Sequence, residues 1–151
     1  MASALKKIPA NAIVLFIAIA LMVMATYVYV SSRSGDMLLY TWLGIDYDNA
    51  FFEKIRASSW SLAPWVKYNL PDGLWLLSFL LFMEAIWMND KRMKVMFCVP
   101  VVAFAFIIET MQFFGIFPGT GDVIDLTFYF VAVLVFTGIL TLNNRYYEKV
   151  N

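Results

Sequence analysis

The chain has 151 residues, of which 62% are hydrophobic and only 15% are charged, and its 11 basic residues balance its 11 acidic residues. A soluble domain of this length has too little interior to bury so much apolar surface, and the balanced charge provides no basic field for nucleic acid. There is no histidine and one cysteine, Cys98, which excludes an imidazole-based triad, an internal disulfide and a cysteine metal cluster.

Four apolar runs are each near the ~20 residues that an α-helix needs to cross a bilayer. They occupy roughly residues 8–30, 71–88, 93–117 and 123–142. Lys6 and Lys7 precede the first run, as in a signal peptide, but the length of the run and the absence of a clear cleavage site favour an uncleaved anchor. We therefore predict an all-α fold, a single transmembrane domain (residues 1–151) forming a bundle of about four membrane-spanning helices.

Proline and glycine mark the predicted helix ends. Pro71 and Asp72 suit a first helical turn, because proline lacks the amide that would be unsatisfied there. Gly115 and Pro118 suit the end of the third helix. Pro100 either kinks that helix or marks a later start for it.

The segment 31–70 is the longest part outside the predicted spans, and its tryptophan and tyrosine content is typical of a membrane interface. A short helix is predicted between Asn49 and Ser59, capped by Asp48 or Asn49. Its apolar face would comprise Phe51, Phe52 and Ile55. This segment either lies along the outer leaflet as an interfacial helix or packs over the bundle as an ordered loop.

Seven of the 11 basic residues flank the spans on one side of the predicted topology, and the other four lie in the segment 31–70 among acidic residues. The seven are Lys6, Lys7, Lys91, Arg92, Lys94, Arg145 and Lys149. The turn at residues 117–121 carries none. The positive-inside rule therefore predicts that both termini are cytoplasmic.

Polar side chains inside the spans are the candidate functional groups. Glu109 lies near the outer end of the third helix, and Gln112 follows three residues later on the same helix face. A bare carboxylate at that depth costs several kcal/mol, so Glu109 must be protonated, paired or in contact with water. A purely structural alternative is a protonated Glu109 that is hydrogen-bonded to Gln112 and to neighbouring helices.

A second acidic pair, Asp122 and Asp125, begins the fourth helix, and Asp72 begins the second helix at the same level. Helix capping alone could explain Asp122 and Asp125. Convergence with Glu109 would instead form an outward-facing pocket for a cation, an amine-bearing ligand or a shared proton. Oxygen ligands can also hold Mg²⁺ or Ca²⁺, but these spacings are specific for neither ion, so a metal remains undetermined.

The inner end of the bundle contains Glu84 and Cys98. We expect Glu84 to pair with one of the lysines or arginines that follow it, namely Lys91, Arg92 or Lys94. Cys98 is expected to be an apolar packing residue.

Two sequence stretches, joined by a short turn, carry a family resemblance. Residues 109–112 read Glu-Thr-Met-Gln, and residues 118–126 read Pro-Gly-Thr-Gly-Asp-Val-Ile-Asp-Leu. This order resembles the VanZ-like family of small bacterial membrane proteins, in which Glu-x-x-Gln ends one helix and a Pro-Gly turn leads to Asp-x-x-Asp at the start of the next. The proline-initiated helix at residues 70–75 is also similar, so the resemblance covers about half of the chain.

The sequence departs from that family pattern in two places. The family often has an arginine in the turn, where this chain has Gly119 and Thr120. It often has an asparagine four residues after the second aspartate and then a glycine, where this chain has Tyr129 and Ala132. Membership would imply a four- or five-helix bundle in the bacterial plasma membrane, with some relatives associated with resistance to teicoplanin.

Two functions follow as hypotheses. The first is a module that binds a lipid-linked or cell-envelope ligand, or a membrane lipid, at the outer leaflet. Its candidate ligand-binding residues are Glu109, Gln112, Asp122, Asp125 and Asp72. The second is a small structural subunit with protein partners in a larger membrane complex. An enzyme or a transporter ranks below both, because no nucleophile–base arrangement is evident and four helices alone cannot enclose a pathway. No cofactor and no nucleic-acid partner are expected.

Overall fold

In a computed structural model of the chain, residues 10–32, 44, 46, 48–57 and 62–150 are described, with the backbone alone for residues 143–150. The described elements are all helices: α1 Ala10–Ser32, α2 Ala50–Ala57, α3 Pro64–Tyr68, α4 Leu70–Ile86, α5 Lys91–Phe113 and α6 Val123–Val150. Three stretches are long and apolar enough to cross a membrane: α1, α5 and residues 123–142 of α6. The flanking residues Lys6 and Lys7, and the side chains of Arg145 and Lys149, lie outside the described parts, as do Trp42 and Trp60 of the segment 31–70.

Helix α4 is the centre of the bundle. It packs most extensively against α1 and next against α6, with a smaller contact to α5. Leu76, Leu80 and Leu81 are almost completely buried there. Ala18 of α1 is buried in one cluster with these leucines, and small residues of this kind let helix backbones approach closely within a membrane.

A polar and aromatic contact secures α1 to α4 near one end. The Nε1 of Trp75 donates a hydrogen bond to Oγ1 of Thr26 over 3.2 Å, and the rings of Trp75 and Tyr29 have centroids 4.8 Å apart. The half-buried Phe52 of α2 packs against Tyr29. This contact holds the short helix against the bundle.

The predicted short helix is present as α2, and Asn49 caps it. The Oδ1 of Asn49 accepts hydrogen bonds from the backbone amides of Phe51 and Phe52, at 3.0 and 3.2 Å. Phe51 is exposed whereas Phe52 is half-buried. The two rings of the predicted apolar face therefore have different environments.

Two predicted helix limits differ from the structure by more than two residues. Helix α5 ends at Phe113 instead of residue 117, because Gly115 adopts a positive φ of 68° and its amide bonds back to the carbonyl of Gln112. Helix α6 continues to Val150, past residue 142. Pro100 lies inside α5, which begins earlier, at Lys91, with Asp90 as its N-cap; the later start is therefore excluded.

Candidate functional site

Polar side chains gather at the end of the bundle where α4 begins, α5 ends and α6 begins. Here "the acidic cluster" means the carboxyl groups of Asp72, Glu109, Asp122 and Asp125. Two neutral polar residues, Asn69 and Tyr129, accompany them. Every carboxyl group of the cluster was a candidate from the sequence, whereas the roles of Asn69 and Tyr129 were not predicted.

Asn69 joins the start of α4 to the start of α6. Its side chain is 5% exposed, and its Nδ2 donates to Oδ1 of Asp125 over 2.8 Å and to Oδ2 of Asp122 over 3.3 Å. One amide group can donate both of its hydrogens in this way. Asn69 thereby holds the two aspartates side by side and partly satisfies their oxygens.

Glu109 links the end of α5 to the start of α6. It is 5% exposed, and its Oε1 accepts a hydrogen bond from the backbone amide of Asp122 over 2.7 Å. Its carboxyl group also interacts electrostatically with those of Asp122 and Asp125. The expected proximity of Glu109 and Asp125 is therefore present.

Glu109 and Gln112 bond different parts of the turn that follows α5. Whereas Glu109 binds the amide of Asp122, Nε2 of Gln112 donates to the carbonyl of Pro118 over 3.1 Å. Glu109 and Gln112 therefore do not bond each other, as the structural explanation of Glu109 had required. Each forms a separate hydrogen bond that holds the turn against the end of α5. Gln112 contributes to the shape of the site through the turn.

Glycines allow that turn to fold tightly back over the end of α5. A Cβ at Gly121 would overlap the backbone of Phe113 and of Gln112, and a Cβ at Gly119 would overlap the Gln112 side chain. Gly119 also has a φ of 138°, which a residue with a side chain rarely adopts. This close approach brings the amide of Asp122 to Glu109.

Asp122 also has the capping role expected from the sequence. Its Oδ1 accepts a hydrogen bond from the amide of Ile124 over 2.9 Å. Its other carboxylate oxygen, Oδ2, receives the longer bond from Asn69. Capping and cluster formation therefore use different oxygens of one side chain.

Tyr129 lies one helical turn after Asp125. Its phenol interacts electrostatically with Asp72, Glu109 and Asp125, and its ring contacts Phe106 of α5 with centroids 5.8 Å apart. A signal for it was present in the spacing of α6, because residues 122, 125 and 129 share one helix face. The hydroxyl adds a donor to a site that otherwise has many acceptors.

Aromatic packing positions Asp72 and Asn69 against α6. The ring of Trp65 stacks on that of Phe128 with centroids 6.1 Å apart, and a Cβ at Gly73 would press on Phe128. Asp72 itself is half-buried in the first turn of α4. The cluster is therefore assembled by contacts among three helices.

The acidic cluster is rich in acceptor oxygens. Within the described residues, no group of three or more His, Cys, Asp or Glu side chains is placed to hold a metal ion. The carboxyl groups provide acceptors, while the side-chain amide of Asn69 donates hydrogen bonds that limit the repulsion between Asp122 and Asp125. An ammonium group matches such a donor-poor, acceptor-rich site.

The opposite end of the bundle holds a buried ion pair. Nζ of Lys94 lies 2.8 Å from Oε2 of Glu84 and donates to the carbonyl of Met88 over 3.1 Å. This ion pair confirms the expected pairing of Glu84 with a basic residue that follows it. Glu84 itself is 1% exposed. Cys98 is buried in the apolar core, as expected.

No protein-family model matches this chain, and searches of curated proteins and of solved structures also give no match.

Proposed function

We propose that the protein is a four-span module of a bacterial plasma membrane that binds a lipid-linked or cell-envelope ligand at the outer leaflet. The ligand presents a positively charged amine to the acidic cluster. Both termini lie in the cytoplasm, and α4 supplies the fourth span. The connection between α1 and α4 is on the outer side of the membrane.

The convergence of the acidic cluster supports this proposal most strongly. Glu109 and Asp125 are 5% and 9% exposed, yet they come from different helices and meet beside Asp122. Burying several carboxyl groups together is costly, and apolar side chains would join the helices at lower cost. A cationic ligand would offset this repulsion when it binds.

The length and position of α4 support a fourth span. Its 17 residues extend about 25 Å along the helix axis, slightly less than a hydrocarbon core of about 30 Å. Local thinning of the bilayer accommodates a mismatch of this size at modest cost. Central packing against α1 and α6 is what a buried span would show.

The VanZ-like resemblance remains part of the proposal. The two stretches that carry it, residues 109–112 and 118–126, meet in space through the Glu109–Asp122 and Gln112–Pro118 bonds. The proline-initiated helix brings Asn69 and Asp72 to the same place. The resembling residues thus form one site, which supports a role in envelope-ligand handling.

Antibiotic susceptibility tests the proposal. Wild type, Glu109→Gln and Asp125→Asn would be expressed in a Gram-positive host and challenged with teicoplanin and with vancomycin, with membrane levels compared by immunoblot. We expect wild type to raise the inhibitory concentration of teicoplanin and both variants to lose that protection. Each substitution removes a charge and keeps nearly the same shape.

The matched control is Glu53→Gln, the same chemical change on the exposed face of α2, which should keep full protection. Equal loss in the control and in Glu109→Gln would contradict a role for the cluster. No protection from a well-expressed wild type would remove the glycopeptide link and favour the alternative below.

The alternative is a small structural subunit of a larger membrane complex, and the exposure of α5 favours it. Cys98 and Glu109 are its buried residues, and large apolar side chains such as Phe104 and Ile107 are exposed. A protein partner could cover that face as well as lipid could. Purification in mild detergent distinguishes the two hypotheses. A protein that co-purifies in stoichiometric amount supports the structural subunit, and a lone monomer opposes it.

A further inference from the structure

A cleft lies at the end of the bundle opposite the acidic cluster, between the first turns of α5 and the middle of α6. Its volume is about 450 Å³. The α5 wall includes Lys91, Lys94, Cys98 and Val99, which recur at the spacing of one helix face. Phe136 and Leu140 form the α6 wall.

The cleft has a basic end and an apolar end. Lys91 is exposed at the start of α5, and Lys94 lies one turn further in. Farther along the cleft from the two lysines the walls are apolar, and they include Val99 of α5 and Phe136 of α6. The cleft is therefore amphipathic along its length, with its charge at the end of a helix that is able to span a membrane.

Lys94 retains capacity to bind an anion. An ammonium group has three donor hydrogens; Nζ of Lys94 donates one hydrogen bond to the carbonyl of Met88 and forms an ion pair with the carboxylate of Glu84. Glu84 neutralises part of its charge, so Lys91 supplies the net positive charge of the cleft.

We propose that this cleft binds an anionic phospholipid, with the phosphate on Lys91 and Lys94 and an acyl chain against Val99, Phe136 and Leu140. Charge complementarity identifies the occupant, because basic pockets between spanning helices at the membrane surface suit anionic headgroups. The apolar walls require a chain that free phosphate lacks. This site is separate from the acidic cluster and does not depend on the proposed function.

Lipid binding to purified protein tests the proposal. Delipidated protein in detergent would be titrated with dioleoyl phosphatidylglycerol or dioleoyl phosphatidylcholine, and bound lipid counted by native mass spectrometry. We expect wild type to prefer phosphatidylglycerol and Lys91→Gln to lose about fivefold in affinity for it. Arg92→Gln, the same loss of charge at a neighbouring position outside the cleft lining, should bind as wild type does.

The reaction of Cys98 with N-ethylmaleimide locates the lipid, since this is the only cysteine of the chain and it lines the cleft. At one subsaturating concentration, phosphatidylglycerol should slow the reaction in wild type and in Arg92→Gln and slow it less in Lys91→Gln, and inorganic phosphate should not slow it. If the thiol is unreactive even without lipid, the proposal is decided by the lipid binding of Lys91→Gln and Arg92→Gln in the mass-spectrometric experiment.

Three results would overturn the proposal. They are equal binding of both lipids, equal loss in Lys91→Gln and Arg92→Gln, and protection of Cys98 by inorganic phosphate alone. A Val99→Trp variant, which fills the apolar end and leaves both lysines in place, should also retain less phosphatidylglycerol. Unchanged retention in that variant would show that no acyl chain occupies the cleft.

Discussion

Asn69 is the residue whose chemistry most directly holds the acidic cluster together. Its amide donates to Asp122 and Asp125; the bond to Asp125 is buried and the bond to Asp122 is partly buried. Asparagine is one of few side chains of this size that can donate twice. Aspartate has nearly the same shape but, when ionised, only accepts.

Asn69→Asp should therefore destabilise the protein. Two donors are lost, and a further carboxyl group is placed against two others, so the free energy of unfolding should fall by about 1–3 kcal/mol. Thermal unfolding in detergent, followed by a thiol-reactive dye that reports exposure of the buried Cys98, measures this. Asn89→Asp, the same change at an exposed position, should leave the midpoint unchanged; an equal fall in both would refute the bridging role of Asn69.

At this scale the sequence identified the charged members of the site but not their neutral partners. Polar residues in apolar runs are conspicuous, which is why Glu109 and Asp125 could be selected. Asn69 stands at a helix start, where asparagine is common, and Tyr129 looks like any interfacial aromatic residue. Their roles depend on side-chain contacts across three helices; the spacing of α6 places Tyr129 on the face of Asp125, but no local pattern shows what that face contacts.

The turn between α5 and α6 is the element that shapes the site. It spans residues 114–122 and depends on Gly121, whose α-carbon faces the backbone of Phe113 and Gln112 with no room for a methyl group. Because the φ of Gly121 is not positive, the requirement for glycine is the close approach alone. The sequence predicted a turn here but placed the end of the helix four residues too late, since the residues after Phe113 are apolar enough to continue it.

Gly121→Ala and Gly138→Ala should change stability in opposite directions. Alanine at 121 must push the turn off α5 and weaken the Glu109–Asp122 bond, which should cost about 1–3 kcal/mol. Gly138 lies inside α6 with open space around it, so alanine there should add roughly 0.5–1 kcal/mol of helix stability. Thermal midpoints of the two variants measure this, and equal midpoints would show that the turn does not pack tightly on α5.

For the whole molecule, the sequence predicted the helical class and the order of the long helices. It could not show that α4, the shortest of the long helices, is the one around which α1 and α6 pack. The packing order depends on which helix faces are complementary, as where Ala18 of α1 packs in one cluster with Leu76 and Leu80 of α4. The number of crossings is therefore best tested directly.

Single cysteines in a Cys98→Ser background can count the crossings. Asp46→Cys, Asn89→Cys and Thr120→Cys each place a thiol at an exposed position in a different connection. In intact cells of a Gram-positive host, a membrane-impermeant maleimide should label positions 46 and 120 and spare position 89. Lysis in detergent should expose all three, which controls for reactivity.

The alternatives to this topology produce different patterns. If α4 does not cross the membrane, positions 46 and 89 lie on one side and position 120 lies on the other. Labelling of position 89 together with protection of position 120 would therefore contradict four spans. If the bundle is inverted, position 89 alone would be labelled.

The expected pattern would place the acidic cluster outside and the Glu84–Lys94 pair inside, because position 120 adjoins Asp122 and position 89 lies between α4 and α5. Only in that orientation can the cluster meet a ligand from the envelope while the basic cleft faces the inner leaflet.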